Sequence, residues 1–109
     1  MTYSVYDFSE SLNQAKGFSQ PDIAECVASW GETGDDNEWS GGFLLKLKDG
    51  RFAYLTGWCD YTGWGCQDGA ETTFFDKEPD RTSLESGKSW DEKPNDIARF
   101  LAGEIKAWD

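Results

Sequence analysis

Residues 56–69 read TGWCDYTGWGCQDG, with two tryptophans, two cysteines, two aspartates and four glycines in fourteen positions. Residues of these types suit metal ligation, thiol redox chemistry, or contact without bond-making. Structural zinc takes four ligands, usually in short pairs such as Cys-x-x-Cys. Cys59 and Cys66 have six residues between them, no histidine occurs anywhere, and the third cysteine, Cys26, is remote in sequence. A three-cysteine site completed by Asp60 or Asp68 matches poorly, and calcium needs a denser run of oxygen ligands than DYTGWGCQD offers. A Cys59–Cys66 disulfide would close a short loop. An odd number of cysteines in a chain expected to be cytosolic instead suggests free thiols packed under the rings.

Catalysis is narrowed by what is missing. Without histidine, the usual Ser–His and Cys–His pairs cannot form. The chain has no phosphate-binding glycine loop or dinucleotide fingerprint. A carboxylate pair for glycoside chemistry carries little information among 21 acids. The chain therefore reads as non-enzymatic, with no cofactor and no metal.

Contact remains. Glycines permit tight turns and close backbone approach, and Trp and Tyr dominate interface hot spots. Tyr61 and Trp64 are the rings placed for exposure. Residues 32–38, ETGDDNE, carry four acids and no base. Glu32, Asp35, Asp36 and Glu38, with Asp60, Tyr61, Trp64 and Asp68, form the candidate partner-binding set.

The elements that must position this set follow from periodicity. Residues 5–16 place Val5, Phe8, Leu12 and Ala15 at helical spacing. Residues 19–30 suggest a second helix: Ser19 as N-cap, Pro21 in the first turn, Gly31 as stop, and Ile23, Cys26, Val27 and Trp30 on one face. Residues 39–58 form a hairpin on a two-residue Asp49-Gly50 turn. That turn pairs Leu47 with Phe52, Leu45 with Tyr54, Phe43 with Thr56, and Trp58 with Gly41, putting Trp58 in the core. Residues 70–75 suit a third strand and 76–93 a long loop. A last helix follows Pro94, with Ile97, Phe100, Leu101, Ile105 and Trp108 as its stripe. The expected fold is one α+β domain over 1–109. It has a small three-stranded antiparallel meander on about three helices, in the order α-α-β-β-β-α. The acidic loop and the aromatic turn then meet at the end of the hairpin opposite Asp49-Gly50.

Net charge is −11, with 21 acids against 10 bases. Direct binding to nucleic acid or to an anionic membrane is disfavoured, and a basic partner is steered in. Residues 1–45 hold eight acids against Lys16 alone, so the N-terminal part is the more negative. No signal peptide or apolar run of membrane-spanning length is visible.

The segment WSGGFLLKLKDGRFAYLTGWCDYTGWGCQDGA (39–70) resembles a segment of small uncharacterised bacteriophage proteins. In size and charge the chain is similar to phage anti-defence proteins, including anti-CRISPR inhibitors and DNA mimics. The resemblance implies the cytoplasm of a host cell, with a host protein as partner whose basic surface holds nucleic acid, a CRISPR effector foremost. It carries no functional residues with it. A small metal- or thiol-dependent domain using Cys59 and Cys66, and a phage structural or assembly protein, stay open as alternatives.

Overall fold

The structure, a computed structural model, describes residues 5–33, 38–60, 67–92 and 94–106. Its centre is a four-stranded antiparallel meander of β1 (Ile23–Thr33), β2 (Glu38–Leu47), β3 (Phe52–Asp60) and β4 (Gln67–Phe75), in sheet order β1-β2-β3-β4. Among the described residues three α-helices accompany it: α1 (Val5–Asn13), the single turn α2 (Arg81–Leu84), and α3 (Asn95–Leu101). This corrects the expected three-stranded sheet and the order α-α-β-β-β-α.

The second expected helix is strand β1, and its apolar spacing explains the misreading. Two bulges interrupt its pairing with β2, where Ala24 and Val27 are the extra residues. Ile23, Cys26 and Ser29 therefore stand opposite Leu47, Leu45 and Phe43. A period of two on β2 is matched by a period of three on β1, which mimics a helical stripe. Pro21 and Ser19 do cap a turn, but it is the 3-10 turn Gln20–Asp22. In it Asp22 Oδ2 accepts from the Ser19 backbone N–H at 2.9 Å.

The hairpin lies where expected, with its register one residue away. The Leu47 N–H donates to the Arg51 carbonyl at 2.8 Å, so three residues, Lys48, Asp49 and Gly50, form the loop. Gly50, at φ +96°, supplies the left-handed position that such loops take at their end. A one-residue change of register moves every side chain to the opposite face. Phe43 now pairs with Leu55, Leu45 with Ala53, Leu44 with Tyr54 and Ser40 with Trp58.

The first face carries the main core: Phe43, Leu45, Leu47, Ala53 and Leu55, buried under Phe8, Phe18 and Ile97. Phe8 of α1 meets Phe43 edge-on at 4.9 Å between centroids and Phe100 of α3 at 6.0 Å. Helix α1 sits so close that a Cβ on Gly57 would overlap Ser11, which is itself buried. Helix α3 ends at Leu101, shorter than its apolar pattern suggested, and Gly103 follows at φ +81°.

The long polar segment follows a defined path from Asp76 to Glu92. Arg81 forks onto Glu92, with Nε–Oε2 at 3.1 Å and Nη2–Oε1 at 3.0 Å, and reaches Glu78 at 3.2 Å. The segment is thereby closed into a strap. Asp91 ties it to the outer edge of β1 by exchanging two backbone hydrogen bonds with Ser29, at 2.9 and 2.6 Å. No helix of the described residues is long and apolar enough to cross a membrane.

Candidate functional site: the second sheet face and its acidic end

The second face of the sheet is built around a glycine. Trp30 on β1 is paired with Gly42 on β2, and a Cβ at Gly42 would collide with the indole of Trp30 and lie 2.6 Å from the Tyr54 hydroxyl. The bare position lets the indole lie across β2, where its Nε1 donates to Tyr54 Oη at 2.7 Å. Ala28 and Leu44 are fully buried beside it. The Trp90 ring of the strap lies 6.1 Å from Tyr54, and its Nε1 donates back into the strap, to the Glu85 carbonyl at 3.4 Å. Burial pushes the Tyr54 hydroxyl up to about 12, against the pull of the hydrogen bond from Trp30, and Glu85 adds to the rise.

Lys88 of the strap completes this cluster. Its Nζ stands 4.5 Å from the centroid of Trp30 and 2.8 Å from Glu32 Oε1. Gly87, at φ +76°, makes the turn that presents it.

One row further toward the loop end, Glu32, Ser40, Trp58 and Gly69 stand side by side across the four strands. Trp58 is 41% exposed and is not in the core. A Cβ on Gly69 would overlap its ring, so the missing side chain that admits the indole is Gly69 on β4 and not Gly41. The exposed Glu71 stands one row inward on the same strand, opposite Thr56.

Of the residues singled out in the sequence, Glu32 is exposed and ion-paired to Lys88. Glu38, Asp60 and Asp68 lie within strands and not in loops. Glu38 is opposite Asp60, Asp60 opposite Gln67, and Asp68 opposite Cys59. These positions gather at the end of the sheet away from Gly50, because the β1–β2 and β3–β4 connections share that end. Asp35, Asp36, Tyr61, Trp64 and Cys66 lie outside the described residues.

Trp30, Tyr54, Lys88 and Trp90 were not legible as site residues. The adjacent glycines Gly41 and Gly42 inside a strand were the available signal, since glycine there marks a close crossing.

Cys59 is buried, and Cys26 is half-buried with its Sγ 3.5 Å from the Ala28 carbonyl. Burial pushes the Cys26 thiol far up, so it stays protonated. Among the described residues, no three His, Cys, Asp or Glu side chains converge as a metal site. Two open clefts flank Gly17. One, of about 450 Å³, is lined by Phe18, Lys48 and Arg51 among others. The other, of about 520 Å³, runs along β4 past Thr72 and Phe74.

No family model, curated protein or solved structure matches this chain.

Proposed function

We propose that the chain is a non-enzymatic binding protein that docks its acidic end on a basic protein surface of the kind that holds nucleic acid. The observation that carries this reading is the strand register. It collects the positions of Glu32, Glu38, Asp60 and Asp68 at one end of the sheet, beside a half-exposed Trp58. The four positions lie on four different strands within three successive cross-strand rows, so they concentrate negative charge at that end as a short acidic row across the sheet. A partner evolved to bind a phosphate backbone attracts such a row. The ring adds a desolvated anchor where charge alone gives mainly speed of encounter.

The resemblance of 39–70 to bacteriophage proteins favours a host protein as partner and the host cytoplasm as the setting, and the likeness in size and charge to phage anti-defence proteins favours a defence protein, with a CRISPR effector foremost. Inhibition follows from occupying the surface that nucleic acid would use.

The test is capture of the partner from a nuclease-treated host lysate, eluted by a salt gradient. Two variants with the same change of charge serve as comparison. One carries Glu32→Gln, Glu38→Gln, Asp60→Asn and Asp68→Asn. The other carries Asp76→Asn, Asp80→Asn, Asp96→Asn and Glu104→Gln. The reading expects a basic nucleic-acid-binding protein retained by wild type and by the second variant, and lost from the first. Equal retention by both variants overturns it.

A further inference from the structure

We infer that Trp30 and Glu32 form a receptor for a lysine ammonium supplied by the partner, and that Lys88 fills it in the free protein. The inference deepens the docking function proposed above and rests on it for the nature of the partner.

The receptor half on the sheet is preorganised. The indole of Trp30 is fixed at its Nε1 edge by the hydroxyl of Tyr54 and seated on the bare Gly42. Glu32 follows two residues later on the same face of β1. A cation at this place is held by the ring quadrupole and by one carboxylate oxygen, at 4.5 and 2.8 Å. Lys88 itself shows that an ammonium fits between this ring and this carboxylate, and a lysine of the partner is the cation assigned to it.

Lys88 behaves as an occupant and not as a structural member. The strap keeps its shape through contacts that omit Lys88: the Arg81–Glu92 fork, the Arg81–Glu78 pair and the Trp90–Glu85 bond. Its hold on the sheet beyond Lys88 includes the paired Asp91–Ser29 backbone bonds and the ring of Trp90 beside Tyr54. Glu32 keeps a side chain 56% exposed while paired. The carboxylate is therefore open to a second cation approaching from solvent. That cation reaches Glu32 first, draws Lys88 off, and takes the face of the indole. Glu32 shares its cross-strand row with Trp58, so an arriving lysine lands inside the proposed docking surface.

The experiment uses a fluorescein-labelled peptide of alternating glycine and lysine, with binding read by anisotropy at fixed ionic strength. Three proteins are compared with wild type: Lys88→Ala, Lys16→Ala, which removes the same charge away from the strap, and Lys88→Ala with Glu32→Gln. Lys88→Ala is expected to bind about five-fold tighter than Lys16→Ala, and the added Glu32→Gln returns it to the Lys16→Ala level. Lys88→Gln, which keeps most of the side-chain length without the charge, gives the same ordering if the shorter side chain loosens the strap. Equal binding by the Lys88 and Lys16 variants overturns the receptor. So does a gain that survives Glu32→Gln. Neither result touches the docking surface, which stands or falls by the four-carboxylate variant.

Discussion

Trp30 and Tyr54 come from strands that are not neighbours, yet the indole Nε1 donates to the phenol oxygen at 2.7 Å across β2. The contact exists because Gly42, between them, has no side chain. The second face thus gains a buried polar pair with both partners satisfied, and the strap closes over it.

Gly42→Ala should therefore destabilise the protein by about 3 kcal/mol, the upper end for overpacking a filled site. Gly41→Ala is the comparison. Its added carbon would stand 3.3 Å from Phe43 Cζ and from the Trp30 carbonyl, tight but short of collision. Urea denaturation of the two variants checks this, and equal losses would show that Trp30 can lift away from β2 at little cost.

Tyr54 sets a pH dependence. Its hydroxyl is raised from 10.0 to about 12 in the folded chain, so folding favours the protonated form. The stabilisation is fully present below pH 10 and is lost as pH rises from 10 toward 12. Two pH units correspond to a loss on the order of 2–3 kcal/mol. The measurement is stability against pH for wild type and Tyr54→Phe, with tyrosinate absorbance followed in parallel. The wild-type curve should fall relative to the variant only in that window, and parallel curves throughout would contradict the assignment.

Gly57→Ala attacks the other face. The new methyl would overlap Ser11, forcing α1 off the sheet, with an expected loss of about 2–3 kcal/mol. Pairing it with Ser11→Gly should recover part of this, although glycine itself costs about 1 kcal/mol in a helix. A double-mutant cycle reads the coupling. Strict additivity would mean that α1 does not rest on Gly57.

Cys26 should resist labelling in the native state. Its thiol is half-buried, held to the Ala28 carbonyl, and kept neutral by burial. Mass spectrometry after a thiol reagent at mildly alkaline pH should find Cys26 modified only once urea unfolds the chain. Labelling at the rate of a free thiol would contradict its placement.

Periodicity located β2, β3, β4 and both terminal helices, because each keeps one regular spacing. It failed at β1, where bulges at Ala24 and Val27 stretch the repeat from two to three and imitate a helix. It also misplaced the hairpin faces, since Asp49-Gly50 serves equally a two-residue turn or the end of a three-residue loop. That single residue decided whether Trp58 lay inside or outside. The acidic end was legible because strand parity alone brings alternate connections to one end. The Lys88–Trp30–Glu32 cluster was not, since it joins residues 56 positions apart through a strap without periodicity.

The strand order carries a consequence for how the molecule assembles and breathes. Each strand pairs with its sequence neighbour, so the sheet closes through short loops at small entropic cost. The strap returns to β1 through the distant Ser29–Asp91 bridge, so its docking closes a far longer loop and is expected to form after the sheet and to reopen before it. Amide hydrogens at Ser29 and Asp91 should exchange through this local opening well before those that join β2 to β3. Exchange in that order would make the sheet the durable frame of the molecule and the strap its opening cover.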